Sequence, residues 1–265
     1  MTGTQTPPVN EVVLSVAIAP QDLLTGPLLY QLLGGRFDTF PEIRAVPPYE
    51  MPMEHPQPQM GLRPPFPQIE IIAPGMPARY WLSSPDHPYL LQVQRDYLAL
   101  NWRRRGPESD YVHYDAIRAE FVAVLDEISR NLQERGGELR PMRAELTYID
   151  VIEPNELWAR TGELHRLFRL SFPGETNYEQ LSFAYSKPIA PDDYWMGRMH
   201  LNVQSGFDVL KDEPRLSMTL TARTGPMPVP SMSAALQFLD IAHDQINETF
   251  RDFLTDEARQ IWGLA

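Results

Sequence analysis

From Val12 to Ile18 every second residue is apolar: Val12, Leu14, Val16 and Ile18. That period of two predicts a half-buried β-strand, and Pro20 closes it. Over residues 21–33 the apolar positions change to helical spacing, and Gly34-Gly35 supplies a stop. Residues 41–67 then carry nine prolines. Proline has no N–H to give to a ladder, so this stretch is excluded from inner strands. At most residues 43–46 read as an edge strand, and the rest is an extended excursion containing Met51, Met53 and Met60. Strands are predicted over residues 68–72, 78–83 and 89–103, the last turning back on itself at Arg95-Asp96. A helix over residues 114–135 follows, capped by Asp110 or His113, with Ile117, Phe121, Val124, Leu125, Ile128 and Leu132 as its buried stripe. Gly136-Gly137 ends it.

The second half repeats this order. A strand over residues 139–152 leads to a short helix at 155–164. Strands follow at 167–172, 178–186, 196–203 and 215–222. A turn over 225–231 offers Ser231 as N-cap to a long helix at 232–254. Glu11 matches Glu145, Ile18 matches Ile152, Pro20 matches Pro154 and Leu23 matches Leu157, each pair 134 positions apart. The inward positions of the first strand correspond to Leu146, Tyr148, Asp150 and Ile152, with Asp150 the misfit. The expected fold is therefore α+β: two pseudo-repeated β-α-β(n)-α halves, 1–137 and 138–265. They form one curved antiparallel sheet with two long helices packed on one face. The order resembles that of a TATA-binding-protein-like half, a likeness of topology that implies no DNA binding.

Composition narrows the partners. A hydrophobic content of 43% suits a packed core, and the absence of cysteine excludes disulfides, thiol catalysis and cysteine-based zinc sites. The net charge of −12 disfavours nucleic acid and favours a protein, small molecule or cation. The N-terminus has no signal-peptide pattern and no apolar run reaches the length of a membrane span, so a soluble, cytoplasmic, bacterial-type protein is expected.

Candidate chemistry is sparse. Asn101-Trp102-Arg103-Arg104-Arg105 is the strongest basic and aromatic cluster, able to stack on a base or clasp a phosphate or acidic peptide. The bland reading is a strand end with a core tryptophan and solvated arginines. Tyr111, His113 and Tyr114 lie just beyond it. His243 interrupts the apolar seam Leu236, Leu239, Ile246, Phe250 and Phe253, as a ligand or acid–base group or as a neutral, hydrogen-bonded core histidine. The six histidines have no metal-ligand spacing, Pro191-Asp192-Asp193 is ordinary turn chemistry, and no phosphate loop or serine elbow is present. No metal or cofactor is expected. Trp262 is either docked or offered to a partner.

The run from His243-Asp-Gln-Ile246 through Phe250, Leu254-Thr255 and Trp262-Gly263 resembles the C-terminal signature of an uncharacterised, sporadically distributed bacterial protein family of this length. Pro7-Pro8 with Glu11 resembles its opening. Gln94, Asn101-Trp102-Arg103, Tyr111 and Tyr114 resemble its middle motif. The resemblance implies no known activity, and patchy distribution suits genes of mobile or defence-linked loci. The expected function is a non-catalytic protein-interaction or sensor protein. Its expected partner is a protein, encoded nearby, or a second copy in a homodimer. One alternative is an RNA- or nucleotide-binding protein or enzyme using the concave sheet face through Arg103, Arg104, Tyr111, Tyr114 and His243. Another is a small-ligand module with an apolar pocket between sheet and helices.

Overall fold

The computed structural model describes residues 7–57, 78–106, 111–171 and 179–264. In chain order its elements are β1 (Val9–Ile18), α1 (Gly26–Leu33), β2 (Glu42–Val46), β3 (Arg79–Ser83), β4 (Tyr89–Gln94), β5 (Tyr97–Arg103) and α2 (Tyr114–Gln133). They continue with β6 (Pro141–Ile152), β7 (Ser182–Ile189), β8 (Gly197–Asp208), β9 (Glu213–Thr224), α3 (Met232–Phe253) and α4 (Asp256–Ile261). The fold is α+β. Its nine strands form one antiparallel sheet in the order β2-β3-β4-β5-β1-β6-β9-β8-β7. The first strand of each half of the sequence lies at the centre, with Leu14 opposite Leu146. The edges are unattractive to further strands: β2 exposes Glu42 and Arg44, and β7 carries Lys187 and Pro188.

Alternation decides which face is covered. Val12, Leu14 and Val16 of β1 share a buried cluster with Leu100 and Trp102 of β5, Leu146 and Tyr148 of β6, and Leu220 of β9. Ile117, Phe121 and Val124 of α2 and Phe238, Leu239 and Ile246 of α3 belong to the same cluster. Burying each large apolar side chain contributes roughly 1.5–3 kcal/mol, so this layer dominates stability. Ser231 caps α3 by accepting a hydrogen bond from the Ala234 amide at 3.1 Å. Gly136, at φ 78°, ends α2 with a backbone turn that side-chain-bearing residues resist. Gly197 is required by proximity: a Cβ there would sit 2.1 Å from the Arg223 carbonyl oxygen.

The proline-rich stretch crosses the opposite face. Tyr49 exchanges hydrogen bonds with the Gln94 side chain, at 2.8 and 2.9 Å. Met51 packs with Ala17, Tyr97 and Ala99 and accepts a hydrogen bond from Arg143 through its carbonyl. Glu54 then meets Arg223 at 2.9 Å, His200 at 2.7 Å and Arg198 at 3.4 Å, and Arg223 also pairs with Glu145 at 2.5 Å. Residues 49–56 thus form a strap from β4 to β8. A segment that joins no strand ladder is kept in place by side chains that reach up from the sheet.

Several elements differ from the sequence pattern. The helix expected over residues 21–33 begins only at Gly26, because Pro27 belongs in a first turn. The helix expected at 155–164 is an Asn155–Trp158 bridge followed by a 3-10 turn, Thr161–Arg166. Residues 167–171 are not a strand. The Leu167 and Phe168 amides bond back to the Leu164 carbonyl, and around the end of α3 the Arg169 amide donates to the Phe253 carbonyl and the Thr255 amide to the Leu167 carbonyl. Leu167 and Phe168 are both buried at the end of α3, where Phe168 stacks on Phe253, instead of in the sheet. The strand expected at 68–72, and Asp110 as a cap, lie outside the described residues. His113 occupies the cap position of α2 without a side-chain capping bond.

Candidate functional site

β6 presents Tyr148 and Asp150 towards the helices, two residues apart and therefore on one face. β1 contributes Val9 and β9 contributes Leu220. α3 lays His243, Ile246, Asn247 and Phe250 across them, a spacing that keeps all four on one side of the helix. The chain entering α2 closes the end with Tyr111 and Tyr114. Together these residues line a cavity of about 760 Å³.

Its polar groups are connected except for one. The Tyr148 hydroxyl lies 2.9 Å from His243 Nδ1, and the Asn247 amide nitrogen lies 3.0 Å from His243 Nε2. Tyr114 stacks flat on the imidazole, with centroids 4.0 Å apart and planes at 6°. Burial holds the His243 pKa below its ordinary value, partly opposed by Asp244, Asp115 and Asp240, so the ring is neutral at pH 7. One proton arrangement satisfies the chain. Asn247 donates to Nε2, Nδ1–H donates to the Tyr148 oxygen, and Tyr148 donates to Tyr111. Burial pushes the Tyr148 and Tyr111 phenols up, so both stay protonated. Tyr114 also donates to Asp240 at 2.9 Å. Asp240 in turn holds Arg118 in a two-pronged pair at 2.6 and 2.9 Å, which ties α2 to α3 at the cavity edge.

Asp150 is the exception. It is 2% exposed, and its Oδ1 has no hydrogen-bond partner among the described residues. Burial raises its pKa to about 7 despite the opposing Arg104 charge. A buried carboxyl without a partner carries a desolvation penalty of roughly 1–3 kcal/mol, more when ionised. The arrangement can hold a donor or cation against Asp150, or keep a proton there near neutral pH. Among the described residues no group of three or more potential metal-ligating side chains is assembled. No helix among them is long and apolar enough to cross a membrane.

The residues singled out from sequence are divided between two faces and one end of the sheet. Tyr111, Tyr114 and His243 meet at the cavity. Trp102 is buried behind Tyr111, in edge contact at 5.4 Å and 81°. Asn101 points to the strap face, where it donates to Glu11 at 2.6 Å and accepts from Gln92 at 2.7 Å. Arg103 follows it in register opposite Glu11 on that face. Arg104 leaves the sheet end, donating to the Pro7 carbonyl at 3.2 Å. No single surface carries all seven. Tyr148, Asp150 and Asn247 were not chosen from sequence. The signal for Asp150 was available: an acid at an inward strand position. Asn247 lies one helical turn beyond His243.

No protein-family model, curated protein or solved structure matches the chain at a significant level.

Proposed function

We propose that this chain is a non-catalytic sensor or interaction protein that takes a small ligand between its sheet and α3. The observation that carries the reading is the 760 Å³ cavity with apolar walls at Val9, Leu220, Ile246 and Phe250 and a hydrogen-bonded polar end. Sites for small ligands have this make-up: largely apolar, with few oriented polar groups. The same site joins α3, the tip of α2 and the central strand β6, so occupancy can bias how the helices sit on the sheet.

The sensor sits on a platform proposed to descend from a duplicated half, 1–137 and 138–265, with α2 and α3 as its two long helices on one face. Supporting this, Val13 is opposite Thr147 across β1 and β6, and these two positions have the same 134-residue separation as Glu11 and Glu145. Glu11 faces Arg103 on one side, and Glu145 faces Arg223 on the other. A protein partner is proposed at the β8–β9 hairpin, where Phe207, Val209 and Leu210 are exposed, the last two at 83% and 98%. A cytoplasmic, defence-linked setting remains part of the proposal. Binding of RNA or a nucleotide on the strap face has less support, because Glu54 already engages Arg198 and Arg223 there.

The test is titration with 2-phenylethanol, a neutral probe with an aromatic body, followed by methyl NMR. Shifts at Leu220 and Ile246 are expected, and Asn247→Trp, which fills the cavity from a half-exposed position, should abolish them. Unchanged methyl signals at millimolar probe would refute the ligand reading.

A further inference from the structure

Resting on the ligand reading, we propose that the cavity selects a ligand carrying a protonated amine or guanidine on an apolar body, with Asp150 as the counter-ion. Three observations point there. Asp150 is fully enclosed, lines the cavity, and has an oxygen that no described residue satisfies. The surrounding polar groups already pair with one another: Asn247 with His243, His243 with Tyr148, and Tyr114 with Asp240. A ligand donor at the enclosed end therefore meets Asp150 Oδ1 as an unmet buried acceptor, with Asp115 as a second carboxylate at the exposed rim. Finally, Tyr111, Tyr114, Tyr148 and Phe250 supply aromatic rings around the space, and ring faces attract a cation where water is excluded.

An anionic ligand meets the opposite situation. It would have to approach Asp150 with Asp115 also on the wall, and no arginine lies at the polar end except Arg104, whose guanidinium is turned to the Pro7 carbonyl. Arg251 also lines the cavity, but it is exposed, so solvent screens its charge. The cation would sit against Asp150, and its apolar body would lie along Leu220, Ile246 and Phe250.

Charge also makes binding depend on pH. The titratable groups facing Asp150 are Tyr148 on β6, Tyr111, His113 and Asp115 at the start of α2, His243 on α3, and Arg104 after β5. The phenols stay protonated and burial disfavours a charge on His243, so loss of the Asp150 proton is the change that falls on the ligand's own counter-ion. An ammonium, charged across this range, binds better as that proton leaves.

Isothermal titration of the full chain at pH 8 with 2-phenylethylamine, 2-phenylethanol and 3-phenylpropionate tests the proposal. The amine should bind at least tenfold tighter than the alcohol and the acid weakest, with the preference lost in Asp150→Asn and reduced at pH 6. A cooperative urea transition of Asp150→Asn, with a midpoint no lower than the parent's, shows that the variant is folded. If amine and alcohol bind alike, or the preference survives in Asp150→Asn, the cation proposal is overturned while the ligand reading stands. If none of the three binds at millimolar concentration, both are overturned.

Discussion

Replacing Asp150 with Asn removes a charge from the interior while preserving shape, and the consequence should depend on pH. The carboxyl titrates at 3.8 when unfolded and at about 7 when folded, because burial penalises its charged form more than Arg104 relieves it. Folding therefore takes up a proton between these values. The contribution of the group to stability is full below pH 3.8 and is lost as pH rises through about 7. At 1.36 kcal/mol per pH unit, the gap amounts to about 4 kcal/mol at pH 8 and above, and to about 1.6 kcal/mol at pH 5. Full burial of the side chain leaves little solvent screening to reduce this, so the figure is an upper bound set by relaxation of the cavity wall. Asp150→Asn should thus gain on the parent chain as pH rises, by about 1.4 kcal/mol per pH unit between pH 4.5 and 6.5, then level off. Urea unfolding of both proteins at half-unit steps from pH 4.5 to 8.5 measures the difference directly. Any fixed cost of the new amide shifts the whole curve without changing its slope. A difference that stays flat across the range would refute the assignment of a buried, destabilised carboxylate.

Glu54→Ala should destabilise by about 1–3 kcal/mol in chemical unfolding, because it removes the buried carboxylate shared by Arg198 and Arg223 while Arg223 keeps Glu145 and Arg198 keeps the His55 and Pro56 carbonyls. It should also expose residues 47–57 to limited proteolysis. Burial raises the Glu54 pKa, but His200 and Arg223 outweigh it and hold the carboxyl below its ordinary 4.5. Its contribution is present above pH 4.5 and is lost as pH falls through the lower folded value, so the parent strap should become protease-sensitive only in acid. Ser231→Ala should cost about 1 kcal/mol through loss of the α3 cap, read as a lowered urea midpoint with unchanged slope. The double change Val209→Asp and Leu210→Asp should leave stability within about 0.5 kcal/mol, since both side chains are exposed, while weakening any partner that docks on the hairpin.

Local chemistry made much of the architecture readable in the sequence. Period-two patterns marked β1, β6 and β9, because a strand with one face in the core tends to alternate. The 3.6-residue stripes marked α2 and α3, and Gly136 and Ser231 marked two of their ends through backbone geometry and hydrogen bonding. The segment at 167–171 misled because its apolar residues record only that it is buried, not what covers it. Prolines in the excursion ruled out an inner strand, yet nothing local could say that residues 49–56 would lie across the far face. That placement depends on Gln94, Arg143, Arg198 and Arg223, which come from four different strands.

The site was half legible for the same reason. Tyr111, Tyr114 and His243 stood out by residue type, and Asp150 stood out as an acid on an apolar face. Their meeting required β6 beside β1 and α3 across both, contacts between residues more than 90 positions apart. Parity alone separated Asn101 and Arg103 from Trp102 and sent them to opposite sides of the sheet. The sequence by itself determined the conformation and inward face of the long elements β1, β6, α2 and α3, since period and end signals depend on near neighbours. Only the tertiary structure decided which buried polar groups found partners and that Asp150 Oδ1 in the cavity did not, because a hydrogen bond is settled by distances that long-range packing sets.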